Sequence, residues 1–248
     1  MTITVAHIWR HPVKSHGREE LGQVVLTAGQ TLPWDRAWAV THDAAKTDGS
    51  TWAACANFNR GSKSPQLMAI NATLDEATQT VTLTHPHKDP LVFRPDHDLN
   101  AFLAWSGDLT PADRAQSARV IRVAGRGMTD TPFPSVSFLN LSSNRALGQR
   151  LGQDLDMRRW RGNFWLEGMG PWQEFEWIGK TLSVGEAEVK ICEPIGRCMA
   201  TTANPNSGVR DTDTLGALLQ GYGHKNFGVY GEVTKSGVVR ANDRVHVL

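Results

Sequence analysis

The sequence predicts a mainly β fold, in which a β-barrel domain follows a β-rich α+β domain. Many short runs alternate apolar and polar residues, as strands with one buried face do. Turn-forming pairs such as Ala28-Gly29, Leu32-Pro33 and His85-Pro86 separate these runs. Only three segments carry the apolar spacing of a helix, so a barrel-like arrangement of strands is the expected architecture.

Strands are expected in both parts of the chain. In the first part they lie at residues 5–10, 23–26, 36–40, 80–84 and 91–94. In the second part they lie at residues 119–123, 136–141, 161–166, 181–184, 187–191, 229–233 and 238–247. The polar stretch at residues 107–113 separates the two groups, and we place the domain boundary there, giving domains at 1–112 and 113–248.

Each of the three expected helices follows a residue that can cap it. Asp98 precedes the first helix, Ser142 or Ser143 the second, and Asp213 the third. The apolar residues of the three helices are Leu99, Phe102 and Leu103; Leu147 and Leu151; and Leu215, Leu218, Leu219 and Tyr222.

Composition limits the classes of partner and location. The formal net charge is only +1, from 26 Lys and Arg against 25 Asp and Glu, so charge gives no reason to expect nucleic acid or a membrane surface. The N-terminus has no signal-peptide pattern, and no window approaches the roughly 20 apolar residues that span a bilayer. Three cysteines without disulfide or zinc-ribbon spacing indicate reduced thiols, so we expect a cytoplasmic protein without a membrane anchor.

The segment from Arg197 to Gly208 holds the most informative cysteine. Cys198 follows a strand-like run, next to the cation of Arg197, and Thr201 and Thr202 offer hydroxyl donors. A thiol placed in this way can ionise and bind a soft metal. The alternative is a small buried hydrophobic residue, which is what an isolated cysteine usually is. No nearby histidine supports a cysteine-protease dyad.

The other cysteines and the histidines show weaker patterns. Cys192 is expected to pack in the core, and nothing chemical distinguishes Cys55. The histidines lack an HExxH pattern, so surface or structural roles are expected for them.

Cations recur at other points along the chain. Lys14-Ser15 follows the first strand, Asp35-Arg36 opens another, and Arg161 belongs to the basic run at residues 158–163. Lysine and arginine together with Arg197 can hold an anion, since lysine supplies a point charge and arginine a planar fork. Neither a GxxxxGK[ST] loop nor a GxGxxG motif is present, which argues against the usual nucleotide sites.

These motifs together resemble a known family. The chain is similar to two-part MOSC proteins, including the amidoxime-reducing components and their bacterial relatives. The motifs that carry the resemblance are Pro12-Val13-Lys14-Ser15, Asp35-Arg36, Arg159-Trp160-Arg161-Gly162-Asn163, Arg197-Cys198-Met199-Ala200-Thr201-Thr202 and Phe227-Gly228-Val229-Tyr230. Two positions depart from the family pattern, because Gly162 replaces a proline and Ile195 stands where a second cysteine often lies.

The resemblance implies a cofactor and residues that bind it. The cofactor is molybdenum-molybdopterin (Moco), held between the two domains, with Cys198 as the metal ligand and catalytic residue. The implied cofactor-binding residues are Lys14, Ser15, Arg36, Asp130, Thr131, Ser143, Arg161, Asn163, Arg197 and Tyr230. Family-level descriptions also mention pyridoxal phosphate binding.

The resemblance further implies an activity, and alternatives remain open. The implied protein is a molybdenum-dependent oxidoreductase that reduces N-hydroxylated, amidoxime-type small molecules. It would take electrons from a separate donor protein of the ferredoxin or flavin-reductase type. One alternative is a non-catalytic carrier of molybdenum cofactor or of persulfide sulfur. Another is a β-domain binding module in which Cys198 is buried.

Overall fold

The computed structural model describes residues 2–248 and contains sixteen strands and three α-helices. The strands are β1 (Ile3–Arg10), β2 (Val13–Lys14), β3 (Glu19–Leu21), β4 (Gln23–Leu26), β5 (Trp38–His42), β6 (Asn71–Asp75), β7 (Thr80–His85), β8 (Lys88–Phe93), β9 (Ser117–Ile121), β10 (Val136–Asn140), β11 (Phe164–Glu167), β12 (Thr181–Val184), β13 (Ala187–Gly196), β14 (Asn226–Lys235), β15 (Gly237–Arg240) and β16 (Arg244–Val247). The helices are α1 (Leu99–Ser106), α2 (Leu141–Leu151) and α3 (Thr214–Tyr222). The prediction of a mainly β fold is confirmed.

Seven strands close into a barrel in the order β11-β10-β14-β13-β12-β16-β1. The ring closes because β1 pairs with β16 on one edge and with β11 on the other, and β3 extends the sheet from β1. The first strand of the chain therefore completes a sheet whose other barrel strands come from residues 136–247. Closure removes the exposed edges that an open sheet would present.

The barrel interior is filled by the inward-facing residues of these strands. Val189 and Ile191 on β13 are fully buried, while Lys190 between them is exposed, as a period of two requires. Phe138 and Phe164 stack at 5.0 Å between ring centroids in the same interior. The large sheet thus encloses one continuous apolar core.

A second, smaller core lies in the N-terminal part. The sheet β2-β5-β9 and the hairpins of β6-β7-β8 pack with α1, and β4 pairs separately with β15. Phe93 and Phe102 stack at 5.2 Å beside the buried Trp38, so α1 is fixed by its apolar face. In residues 2–248 no helix is both long and apolar enough to cross a membrane.

Some element starts differ from the sequence expectation. The cap of α2 is Asn140, whose side chain accepts a bond from Ser142 N, so neither Ser142 nor Ser143 is the cap. Asp213 caps α3 as predicted, but Asp98 makes no side-chain capping bond. The strand expected at residues 161–166 begins at Phe164, because Arg161 has a left-handed backbone that ends a short 3-10 helix.

Candidate cofactor and metal site

A cavity of about 320 Å³ lies between the barrel and the N-terminal part of the chain. Both parts contribute to its lining, which is the location that the resemblance implies for a cofactor. Nine of the predicted site residues line it: Lys14, Ser15, Arg36, Asp130, Thr131, Arg161, Arg197, Cys198 and Tyr230. Residues more than 200 positions apart in the chain therefore meet at one surface.

Cys198 lies at the point where β13 has ended and a short 3-10 helix, Met199–Thr202, begins. It is an exposed free thiol on the cavity wall. The reading of Cys198 as a buried hydrophobic residue is therefore wrong. A thiol at this position is accessible to a ligand that enters the cavity.

The residues beside Cys198 order the loop rather than donate to the sulfur. Thr201 Oγ1 donates to the Cys198 carbonyl at 3.1 Å, and Thr202 Oγ1 donates to Met199 O at 2.8 Å. The Arg197 guanidinium donates to the carbonyls of Trp160 and Phe227. The expected hydroxyl donation to the thiol is thus not found, and Arg197 contributes its charge instead.

The loop after Cys198 is fastened to the N-terminal part. Arg18, which is 2% exposed, donates to Pro205 O at 2.7 Å and also to Met68 O and Ile70 O. Gly208 has φ 69°, and a Cβ there would lie 2.6 Å from Gln66 Cα. This close approach requires glycine, and it fixes the loop that carries Cys198.

Lys14 and Asp130 form an ion pair on the cavity wall. Lys14 Nζ donates to Met128 O at 2.8 Å and to the Asp130 carboxylate. Desolvation opposes ionisation of Asp130, but the charges of Lys14 and Arg36 outweigh it and hold the pKa of the carboxyl at about 2. Arg126 supports the same loop, because its guanidinium donates to the carbonyls of Thr131 and Pro132.

Arg36 belongs to a buried network with Asp35 and His11. Arg36 pairs with the Asp35 carboxylate, and the other carboxylate oxygen accepts from His11 N at 2.8 Å. Burial opposes the charge on Asp35, but Arg36 and His11 together lower the pKa of the carboxyl. Arg36 also donates to Arg161 O at 3.0 Å, so it fixes the backbone that carries the next cation.

Arg161 is the cation without a partner. Among residues 2–248, its two terminal nitrogens are buried and make no hydrogen bond, and it forms no ion pair. Burial lowers the pKa of Arg161 to about 9, with repulsion from Arg36 and Arg18 adding to the effect. A buried guanidinium is costly unless it is paired, so this group fits an anion held in the cavity.

Three lining residues have left-handed backbones although they are not glycine. They are Ser15 (φ 65°), Arg36 (φ 53°) and Arg161 (φ 49°). This conformation costs about 1–2 kcal/mol per residue. Such strain concentrates at functional sites, and here it occurs at three of the predicted cofactor-binding positions.

Two predicted site residues lie outside the cavity lining. Ser143 is buried on α2, where its hydroxyl donates to Glu174 at 2.9 Å and accepts from Trp172 N. Asn163 exchanges bonds with Ser137, and Ser137 lines the cavity. Asn163 therefore ties the Arg161 loop to β10, and Ser143 belongs to a separate buried cluster.

Sequence reasoning did not select several residues that line the cavity. Arg159 pairs with Asp211 at 2.8 Å, and Arg60 donates to Cys55 Sγ at 3.3 Å. Both arginines and Cys55 line the cavity, so the view that nothing distinguishes Cys55 is wrong. Arg159 stands in the basic run that the sequence analysis noted, whereas the segment around Arg60 carries no such signal.

Two buried histidines make the fold sensitive to acid. Burial lowers the pKa of His11 to about 3 and that of His16 to about 4, against 6.5 ordinarily. Between pH 6.5 and 4 these two histidines bind protons in the unfolded chain but not in the folded chain. The free energy of unfolding therefore falls as the pH drops. We expect urea unfolding at pH 7, 6 and 5 to show a loss of roughly 2–3 kcal/mol per pH unit near pH 5 from these groups.

A matched pair of variants tests this assignment. His16→Gln should remove about half of that slope, because one of the two protons is no longer bound on unfolding. His97→Gln changes an exposed histidine and should leave the slope unaltered. An unchanged slope in the His16 variant would contradict the assignment.

The donor set fits a metal that brings further ligands with it. Within residues 2–248, no group of three His, Cys, Asp or Glu side chains could hold a metal ion. Cys198 offers one thiolate, and six cations line the cavity: Lys14, Arg36, Arg60, Arg159, Arg161 and Arg197. A metal carried on an anionic organic cofactor matches this arrangement, because the cofactor supplies the other ligands and the cations bind its charge.

Comparison with protein families gives matches over nearly the whole chain. The MOSC N-terminal beta barrel domain matches residues 2–120, and the MOSC domain matches residues 130–246. The chain belongs to the MOSC family. The domain boundary at residue 112 remains a prediction, since the residues before it also supply β1 and β3 to the barrel sheet.

Two curated relatives and one solved structure are similar to the chain over nearly its whole length. The mouse mitochondrial amidoxime-reducing component 1 is 24% identical, with 99% of this chain and 82% of the relative covered. The bovine mitochondrial amidoxime reducing component 2 is 23% identical over 99% and 83%. The crystal structure of the YuaD protein from Bacillus subtilis matches this MOSC protein with a TM-score of 0.51 at 12% identity, over 100% and 96% of the two chains, and shows a shared fold.

Proposed function

We propose that this protein is a molybdenum-cofactor-dependent oxidoreductase that reduces N-hydroxylated compounds of the amidoxime type. One observation carries the proposal: the Cys198 thiol and the unpartnered Arg161 guanidinium line the same cavity. The first can ligate a metal, and the second requires an anion. The relationship to the amidoxime-reducing components supports the choice of substrate.

The residues of the chain take distinct roles in this proposal. Cys198 would ligate the metal, while Lys14, Arg36 and Arg161 would bind the anionic part of the cofactor. Bound there, the molybdenum cofactor would supply the two-electron chemistry that, with two protons, reduces an N–OH group to N–H and water. Burial raises the pKa of Tyr230, so its phenol stays protonated at neutral pH and can donate a hydrogen bond into the cavity. Asp130 stays ionised and can only accept.

Metal analysis and turnover test the proposal directly. Protein made in cells that synthesise molybdopterin should carry molybdenum and pterin, and it should reduce benzamidoxime with an artificial electron donor. Protein from cells that cannot make molybdopterin is the control and should do neither. Protein from the molybdopterin-producing cells that contains neither metal nor pterin would contradict the proposal.

A carrier of the cofactor is the competing function, because Cys198 is exposed on the wall of the cavity. Retained cofactor without turnover, followed by transfer to an apo-enzyme, would favour the carrier over the reductase. A persulfide on Cys198, detected by mass spectrometry of the intact protein, would favour the sulfur carrier.

Partner and location follow from the same proposal. The electrons come from a separate protein of the ferredoxin or flavin-reductase type, and the substrate is a small N-hydroxylated molecule. We propose a cytoplasmic location, which the three free cysteines support. We do not propose pyridoxal phosphate, because Lys14, the lysine that lines the cavity within residues 2–248, is held by Met128 O and Asp130.

A further inference from the structure

One carboxylate in the cavity has no counterion. Among residues 2–248, the carboxylates that line the cavity are Asp130 and Glu193. Asp130 pairs with Lys14, whereas the side-chain carboxylate of Glu193 makes no ion pair and no hydrogen bond within residues 2–248. An acidic side chain without a protein partner is unexpected in a cavity lined by six cations, and its carboxylate remains available to a ligand.

The position of Glu193 is set by an irregularity in β13. Ile191 pairs with Gly231 and Glu193 pairs with Tyr230, so β13 contains one extra residue between these pairs. A bulge of this kind reverses the faces of the residues that follow it. Glu193 is therefore exposed, although regular alternation after the buried Ile191 would bury it in the barrel.

Glu193 and Cys198 lie on one wall of the cavity. Every residue from 193 to 198 lines it, with Glu193 at one end and Cys198 at the other. Five residues of extended chain span at most about 17 Å between the two Cα atoms. Glu193 and Cys198 therefore line one stretch of the cavity wall, with their Cα atoms no farther apart than this distance.

The product of the proposed reaction carries a positive charge, which can pair with the negatively charged carboxylate of Glu193. An amidoxime that gains two electrons and two protons loses its N–O bond, and it yields an amidine and water. The amidine is a strong base and takes a further proton from water, so the product is a planar cation with two N–H donors. A carboxylate accepts such a pair of donors in bidentate fashion.

We propose, resting on the function proposed above, that Glu193 is a specificity-determining residue that selects N-hydroxylated compounds whose reduced forms are amidinium or guanidinium cations. The cavity then has two separate charge preferences. The unpartnered Arg161 favours binding of an anionic cofactor, and Glu193 favours binding of a cationic reactant or product.

Binding of a matched pair of ligands to the molybdenum-loaded protein tests this inference. Benzamidine is a cation and benzamide is a neutral molecule of nearly the same shape. By calorimetry, benzamidine should bind about tenfold more tightly than benzamide, as expected for one charge-assisted bidentate contact. In Glu193→Gln the two ligands should bind within about twofold of each other.

A control variant and the loading step separate the possible failures. Glu188→Gln changes a glutamate on the same strand that pairs with Lys235 outside the cavity, and it should keep the wild-type preference. Loaded protein that does not distinguish the two ligands, or a Glu193 variant that still does, overturns the inference alone. Loaded protein that prefers benzamidine but never turns over overturns the reductase, and with it substrate selection, while Glu193 is kept as the residue that binds amidinium cations. Protein that cannot be loaded overturns both.

Discussion

The Cys198→Ser protein should lose reductase activity by at least about 100-fold, because changes that only disturb a metal ligand already cost 10–100-fold. The serine hydroxyl is a poor ligand for a soft metal compared with a thiolate. Bound molybdenum per chain should fall together with activity. Metal analysis and benzamidoxime turnover on the same preparation measure both quantities.

Cys192→Ser is the matched control for this change. Cys192 is a half-buried thiol on β13 that contacts Lys190 O and lies outside the cavity lining. Its replacement should leave molybdenum content and turnover within about twofold of the wild type, as surface changes away from a site usually do. A Cys198 variant that keeps its full metal and pterin content would indicate that the sulfur is not a ligand.

Arg161→Met should stabilise the cofactor-free protein and abolish cofactor retention. The guanidinium of Arg161 is buried without a partner, so its removal from the empty cavity relieves a desolvation cost of about 1–3 kcal/mol. The same change removes the donors that the proposed anion requires. The free energy of unfolding of the cofactor-free protein, measured in urea, should therefore rise. The pterin content of protein made in molybdopterin-producing cells should fall.

Arg18→Met provides the contrast, because Arg18 is also buried but its terminal nitrogens donate to three backbone carbonyls. Its loss should destabilise the cofactor-free protein by about 2 kcal/mol or more, since buried acceptors lose their donors. If Arg161→Met destabilised the protein to the same extent, Arg161 would be a structural residue rather than an anion-binding one.

Motif chemistry made much of the cavity predictable. Lys14 and Cys198 were selected because they follow strand-like runs, and Arg36 and Arg161 because they lie at the start of others, and all four line one surface. The strands were predictable because burial on one face imposes a period of two on the sequence. The strands β2, β3 and β6 were missed, and for β2 and β3 the reason is that two or three residues give little periodicity.

Long-range pairing and loop residues could not be predicted. Arg60 and Cys55 come from segments outside the strands and α-helices, which carry no periodic signal, and their place in the cavity lining is visible only in the folded chain. Ser143 lies outside the cavity lining, which the sequence could not show because a helix start looks alike in sequence whether or not it faces a cavity. The structure also shows why glycine stands at position 162, because a Cβ there would lie 1.9 Å from Leu139 Cδ1.

The closure of the barrel by β1 also orders events during synthesis. Because synthesis runs from the N-terminus, β1 is made before its partners β11 and β16, which lie more than 150 residues later in the chain. Such distant contacts form slowly, because the intervening chain must first be restricted. Until those strands are made, β1 can pair with β3 but not with its other two neighbours. The cavity lining also includes Tyr230 of β14, so a cofactor can bind its full set of residues only after β14 has been made.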